Sequence, residues 1–131
     1  MEQRTLNKRF ESIAKGLIKK EKHLAYIKNS RVRIAYLESD SEKKSKGRLV
    51  FGECEKIPDK YKWSIPYDFT ITVYTLNIEH FNDEQLKILL LHELMHIGIE
   101  VDGNEESYHV IPHDIEDFKA ILDRFGMDWS A

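Results

Sequence analysis

The first part of the chain has hydrophobic residues at helical spacing. Apolar side chains recur every three or four positions, at Leu6, Phe10, Ile13, Leu17 and Ile18. Lysines and arginines occupy most of the positions between them. This pattern predicts an amphipathic helix over about residues 5–22, with one face packed on a sheet.

The hydrophobic pattern then changes to the alternation that is typical of strands. Val32, Ile34 and Tyr36 alternate with residues of the opposite face, which predicts a strand. The polar run over residues 40–47 predicts a connecting loop, and residues 49–54 form a second strand candidate.

The most regular strand pattern covers residues 68–75. Phe69, Ile71 and Val73 share one face, and the other face carries threonines and Tyr74. Two prolines between residues 56 and 67 predict a loop before this strand. Because its second face is rich in threonine, we expect that face, or one edge, to meet solvent.

The most hydrophobic segment predicts a central, buried helix. Asn82 is suited to cap this helix, and Gln85 three positions later completes a capping-box pattern. Gly98 is suited to end the helix, because glycine is common just after the last helical residue. Apolar residues surround almost the whole circumference of the helix between these points: Leu86, Ile88, Leu89, Leu90, Leu91, Leu94, Met95 and Ile97.

A last helix is predicted from about Pro112 to Gly126, and the order of elements then defines the fold class. The inward stripe of this helix would be Ile115, Phe118, Leu122 and Phe125. We predict an α+β domain with an N-terminal helix, a small, mostly antiparallel sheet, a central helix and a C-terminal helix. Residues 1–131 are expected to form one domain, with an N-terminal helix region over 1–30 and a core over 31–129.

Composition narrows the class of protein. The 131 residues are 41% hydrophobic and 33% charged, which suits one compact globular domain. The apolar run near residue 90 is interrupted by polar residues and is too short to span a bilayer. A charged N-terminus without a secretory pattern, together with the single Cys54, predicts a cytoplasmic protein.

Charge is distributed unevenly along the chain. Residues 1–48 carry 14 Lys/Arg against 6 Asp/Glu, whereas residues 49–131 carry 6 against 17. The basic part makes nucleic acid a possible partner, although solvated lysines on an amphipathic helix explain the same composition.

Candidate chemistry is concentrated in the sequence His92-Glu93-Leu94-Met95-His96. Two histidines four positions apart lie on one face of a helix, so both imidazoles can converge on a tetrahedral Zn²⁺. Glu93 could then act as the general base for amide hydrolysis by a metal-activated water, whose pKa zinc lowers to about 7. The alternative is a surface patch in which both histidines are simply solvated.

A zinc site also needs a third protein ligand. His113 is favoured, because Pro112 places it at the start of the last helix, and His109 is its rival. Asp114 could instead accept a hydrogen bond from a ligand imidazole or complement the dipole of the last helix. The weaker candidates for the ligand itself are Glu105, Glu106 and Asp114.

Two parts of the sequence resemble known metalloproteases. The His92 to His96 motif resembles the metal-binding helix of zincin metallopeptidases, and the later His113-Asp114 with Phe118 resembles the signature of WLM and SprT-like metalloproteases. From about Arg31 to Trp129 the chain resembles the phage metallopeptidase family more closely. The 17-residue separation of His96 and His113 is longer than the WLM spacing, and no Met-turn of the metzincin type can be recognised.

The resemblance implies a minimal zincin-like fold and a phage or prophage origin. It implies that His92, His96 and His113 bind Zn²⁺, that Glu93 is the catalytic base, and that the substrate is a peptide or protein. In zincins the strand before the metal helix commonly forms an edge that pairs with substrate, and Thr70–Tyr74 would be that edge here. A plain sheet strand is the alternative.

Several questions stay open at this level. Attack of water on an amide would form a tetrahedral oxyanion, and the side chain that stabilises it could be Tyr74, Tyr108 or His109. Cys54 is expected to pack as a small apolar residue. The competing function is a non-catalytic zinc-binding module that binds a host protein or DNA. Four protein ligands would favour that module, because no position would remain for water.

Overall fold

The computed structural model describes residues 2–113, 121, 124–126 and 128–130. In these residues the α-helices are α1 (Lys8–Lys20), α2 (Ala25–Lys28) and α3 (Asp83–Leu94). Short 3₁₀ helices cover Lys22–Leu24, Asp59–Tyr61 and Thr75–Ile78. The strands are β1 (Arg4–Leu6), β2 (Ile34–Ser39), β3 (Lys44–Ser45), β4 (Arg48–Leu49), β5 (Gly52–Lys56), β6 (Phe69–Tyr74), β7 (Ile97–Asp102) and β8 (Glu105–Val110). The predicted α+β class is confirmed.

The main sheet has four strands in the order β1-β2-β6-β5. The pairs β1–β2 and β6–β5 are antiparallel, and β2–β6 is parallel. Strand β6 is therefore central, and the expectation that Thr70–Tyr74 forms a sheet edge is wrong. The strand beyond β6 in this order, β5, lies at the edge, and the 57–68 loop joins these two strands as an antiparallel pair.

The first helix begins later than predicted. Residues 4–6 are extended and pair with β2, and the Asn7 side chain accepts a hydrogen bond from the Phe10 amide to cap α1. Backbone pairing to a neighbouring strand thus overrides the helical spacing that Leu6 shares with Phe10.

The hydrophobic core lies between one face of the sheet and the helices α1 and α3. Phe69, Ile71 and Val73 of β6 are fully buried on this face. Phe10 and Ala14 of α1 and the apolar residues of α3 belong to the same cluster. A helix that is apolar almost all round needs neighbours on most sides, and α3 has them in α1, β5 and the rest of the core.

The second face of the sheet is also covered, which corrects the prediction that it meets solvent. Thr72 and Tyr74 are fully buried there. The Arg4 guanidinium donates to Thr72 Oγ1 and Tyr74 Oη, each at 3.3 Å, and pairs with Glu55 at 3.1 Å. Lys43 forms an ion pair with Glu53 and lies over the Tyr74 ring. On this face, charged side chains from β1, β5 and the segment before β3 thus cover β6 where a helix could otherwise pack.

The predicted ends of the 40–47 loop and of the central helix differ from the observed ones, because residues there pair with other strands. The 40–47 loop contains part of the small β3–β4 hairpin. The predicted capping box of Asn82 and Gln85 is confirmed, but α3 ends at Leu94 rather than near Gly98. Gly98 lies in β7, within a β7–β8 hairpin whose turn includes Gly103 at φ 63°.

Most of the predicted C-terminal helix lies outside the described residues. Ile121, Arg124 and Phe125 are helical, while Pro112 and His113 are not. In the described part of the chain, no helix has both the length and the apolar character needed to cross a membrane.

Candidate metal centre

Helix α3 and the turn after it position the two histidines of the motif. His92 lies in the last turn of α3, and His96 follows the C-cap residue Met95, which keeps right-handed helical dihedrals. Because helical geometry continues through Met95, the two imidazoles stay on one side, with ring centroids 5.3 Å apart. Both side chains are half-buried.

His113 completes a cluster of three imidazoles. Its Nε2 lies 2.7 Å from His92 Nε2, and its ring centroid lies 4.4 Å from that of His96. Potential ligand atoms of the three side chains all lie within 4.8 Å of one another. Three nitrogens at this separation could hold a divalent cation, since imidazole suits Zn²⁺ and other transition metals.

The backbone of Ile111 orients His96. His96 Nδ1 donates to the Ile111 carbonyl at 2.6 Å, and the Ile111 amide donates to the His96 carbonyl at 2.6 Å. With its Nδ1 protonated, a neutral His96 presents its Nε2 lone pair as a ligand. This pair of bonds also joins the end of β8 to the turn after α3, so that His113 lies beside the motif. A main-chain contact of this kind leaves no signal in the sequence.

Glu93 occupies a buried position beside the edge strand. Only 4% of the residue is exposed, although it is a carboxylate. A Cβ atom at Gly52 of β5 would lie 3.3 Å from Glu93 Oε2 and 3.2 Å from the Thr72 carbonyl oxygen. Such contacts are tighter than a side chain normally makes, so glycine at position 52 gives the carboxylate its space. Gly52 was not identified from the sequence.

Cys54 lies on the same face of β5 as Gly52, because side chains two positions apart share a face. The thiol packs against the core. Burial, and secondarily the nearby Glu93 and Glu55 carboxylates, raises the pKa of Cys54 well above its usual range. These neighbours agree with the packing role that the sequence predicts.

The other candidates lie in separate environments. His109 belongs to no ligand cluster among the described residues; its ring covers Gly98, where an added Cβ would lie 2.3 Å from His109 Nε2. Glu106 accepts hydrogen bonds from the Arg31 amide and Tyr108 Oη. Glu105 lies in the exposed hairpin, and Asp114 lies outside the described residues.

Of the three residues considered for the oxyanion, two have polar groups engaged elsewhere. Tyr108 Oη donates to Glu106 at 2.8 Å, and Tyr74 Oη accepts from Arg4 on the opposite face of the sheet. Burial, followed by the hydrogen bond to Glu106, raises the pKa of Tyr108 to about 12.

Trp129 forms part of the surroundings of His92. Their ring centroids lie 6.2 Å apart, and the Trp129 carbonyl accepts a hydrogen bond from Gln85 of α3 at 3.3 Å. An aromatic side chain from near the chain end therefore lies beside the histidine cluster. No pattern in the sequence predicts this contact, which joins residues 37 positions apart.

Comparisons with known proteins agree with the geometry. No curated protein and no solved structure matches the chain. The family model described as “Putative phage metallopeptidase” matches residues 4–131, so the match includes α1 as well as the region from Arg31 onwards. A metallopeptidase family implies a metal cofactor, and the three histidines could bind one. The chain therefore belongs to the phage metallopeptidase family.

Proposed function

We propose that this protein is a zinc-dependent peptidase with Glu93 as its general base. The observation that carries the proposal is the convergence of three imidazoles, one of which is followed directly in the chain by a buried carboxylate, Glu93. Three protein ligands leave one position of a tetrahedral site for water or substrate, which distinguishes catalytic from structural zinc sites.

His92, His96 and His113 would hold the zinc ion. The set fits this metal, because neutral imidazole nitrogens are common zinc ligands and the Ile111 carbonyl fixes the tautomer of His96. Zinc, when bound, would supply a Lewis acid that acidifies water and polarises the scissile carbonyl.

Glu93 would move the proton. Its carboxylate takes a proton from the water that attacks the amide carbon, and it then delivers that proton to the nitrogen of the leaving amine. Burial keeps this carboxylate away from bulk solvent, and Gly52 leaves room for it next to β5. The glycine would thus act as a positioning residue.

The substrate would be a peptide in extended conformation that pairs with β5. Among the described residues, β5 pairs with β6 along one side and with no strand along the other. Its Gly52 end lies beside Glu93, whereas its Lys56 end pairs with Phe69, whose ring contacts Tyr108 of β8. We expect the scissile bond to lie at the Gly52 end.

The test combines metal content with hydrolysis by Glu93→Gln. The wild-type chain should contain close to one zinc ion per molecule by mass spectrometry and should cleave members of a fluorogenic peptide library. Glu93→Gln should keep the zinc, because Glu93 is not a ligand, and should lose about 10²- to 10⁴-fold in kcat.

Two results would contradict the proposal. Wild-type turnover in Glu93→Gln would remove Glu93 from the mechanism. A zinc-loaded wild-type chain that cleaves no peptide would favour the non-catalytic zinc module instead.

A further inference from the structure

A basic groove lies on the opposite side of α1 from its contact with α3. The groove has a volume of about 600 Å³ and lies between α1, α2 and the start of β2. Lys15, Lys19, Lys28 and Arg33 line it. Apolar side chains such as Ile18 and Ile34 also line it, together with Tyr67.

The groove continues onto the 57–68 loop through shared ion pairs. Asp68 lies 3.6 Å from Arg33 Nε and 3.8 Å from Lys62 Nζ, so both cations meet at one buried carboxylate. On the loop, Trp63 is 85% exposed and Tyr61 is 42% exposed. The groove and this loop together are called the basic–aromatic surface below.

The surface carries more positive than negative charge after its internal pairs are counted. Glu11 pairs with Lys15 at 2.7 Å, and Asp59 pairs with Lys56 at 3.3 Å. Among the residues that the structure describes, three further cations here form no ion pair: Lys19, Lys28 and Lys60. The acidic side chains present are largely neutralised, so the surface complements an anion.

We infer that the basic–aromatic surface binds single-stranded nucleic acid. Cations that can contact phosphates, alternating with exposed aromatic rings on which bases can stack, are the combination that single strands recognise. A duplex hides the faces of its bases, and the Asp and Glu side chains of an acidic peptide have no flat rings to stack on Trp63 and Tyr61. This inference does not depend on the metal centre or on peptidase activity.

The test measures binding of a fluorescein-labelled 20-nucleotide single strand of mixed sequence by fluorescence anisotropy. The 131-residue chain should bind at low salt and lose affinity steeply as salt rises. Lys19→Glu/Lys28→Glu should weaken binding by at least about tenfold and reduce the slope of log K against log salt by about 1.4. Trp63→Ala should weaken binding about tenfold with an unchanged salt slope.

A matched control separates a specific surface from general positive charge. Lys44→Glu/Arg48→Glu makes the same change of net charge in the exposed β3–β4 hairpin and should bind like the wild-type chain. Circular dichroism would verify that each variant is folded.

Three outcomes would overturn the inference. One is the absence of binding at 50 mM salt. Another is an equal loss of affinity in the control and in the groove variant. The third is that duplex DNA or polyglutamate displaces the strand as well as an unlabelled single strand does, which would assign the surface to general polyanions.

Discussion

The middle of helix α3 and its C-terminal end bury different kinds of side chain. Its central residues, Leu86 and Ile88 to Leu91, are all buried and apolar, whereas its end buries Glu93 and half-buries His92. Burial of the apolar part stabilises the fold, because apolar surface leaves water. Burial of the polar end costs free energy unless partners compensate it. The apolar residues that stabilise the fold and the residues of the candidate site therefore lie in different parts of one helix, and substitutions in the two parts should have different consequences.

The largest expected effect concerns the apolar part. Leu90→Ala should lower the free energy of unfolding by about 2–5 kcal/mol, because Leu90 is fully buried and its removal leaves a cavity. Urea denaturation followed by circular dichroism would measure this change. Lys87→Ala, on the exposed side of the same helix, should change stability by less than about 0.5 kcal/mol. Equal effects of the two substitutions would contradict the assigned burial.

Removal of the metal should show how much free energy of unfolding a bound ion contributes at the C-terminal end of α3. Zinc at 100 times its dissociation constant should raise the free energy of unfolding of the wild-type chain by about 2.7 kcal/mol, and a chelator should reverse this. His113→Ala should lose most of this zinc-dependent increase in the free energy of unfolding. His109→Ala should keep it, because His109 lies outside the cluster. If His109→Ala alone removed the response to zinc, the proposed third ligand would be wrong.

Gly52→Ala should affect activity more than stability. The added Cβ would contact Glu93 Oε2 and the Thr72 carbonyl, so we expect kcat/KM to fall about tenfold, or ~1.4 kcal/mol, and stability to fall by about 1 kcal/mol. Gly16→Ala is the matched control. Its Cβ would meet nothing within 4 Å, and an alanine inside α1 should stabilise the chain by about 0.4–1 kcal/mol with activity unchanged. Full activity of Gly52→Ala would show that the proposed role of the Glu93 carboxylate needs no such space.

The smallest effect should appear as a dependence of stability on pH. The pKa of Cys54 is raised in the folded chain, chiefly by burial, so the folded state keeps its thiol proton above the ordinary thiol pKa of about 8.5. The unfolded state then binds fewer protons, so this contribution to stability is complete below about pH 8.5 and is lost as pH rises. Denaturation between pH 8 and 10 should show a shallower decline for Cys54→Ala than for the wild-type chain. Identical slopes would contradict a raised pKa of the Cys54 thiol in the folded chain.

Local patterns predicted much of this molecule because their physical causes are local. The cap at Asn82 and the capping box with Gln85 involve atoms within one helical turn, and the structure contains both. The shared face of Phe69, Ile71 and Val73 follows from the alternation of side chains along one strand, and all three are buried. Likewise, the i, i+4 spacing of His92 and His96 needs only continuous helical geometry.

Predictions that required partners distant in sequence were less successful. Threonines on β6 predicted an exposed face or edge, but Arg4 and Glu55 from other strands cover that face. Gly98 was expected to end the central helix, but it lies in β7, whose residues pair with β8 in a hairpin. No local pattern specifies which strand occupies an edge, because strand order depends on competition among all possible pairings.

The sequence by itself determined the α+β composition, the buried central helix and the adjacency of two histidines and a glutamate. Only the tertiary structure decided that β5 is the edge strand, that Gly52 faces Glu93, and that His113 rather than His109 lies beside the motif. The physical reason is the distance along the chain over which each interaction acts. Helical spacing and capping involve residues within about one turn of backbone. The position of His113 depends on hydrogen bonds between His96 and Ile111, fifteen residues apart, which form only when the hairpin folds back.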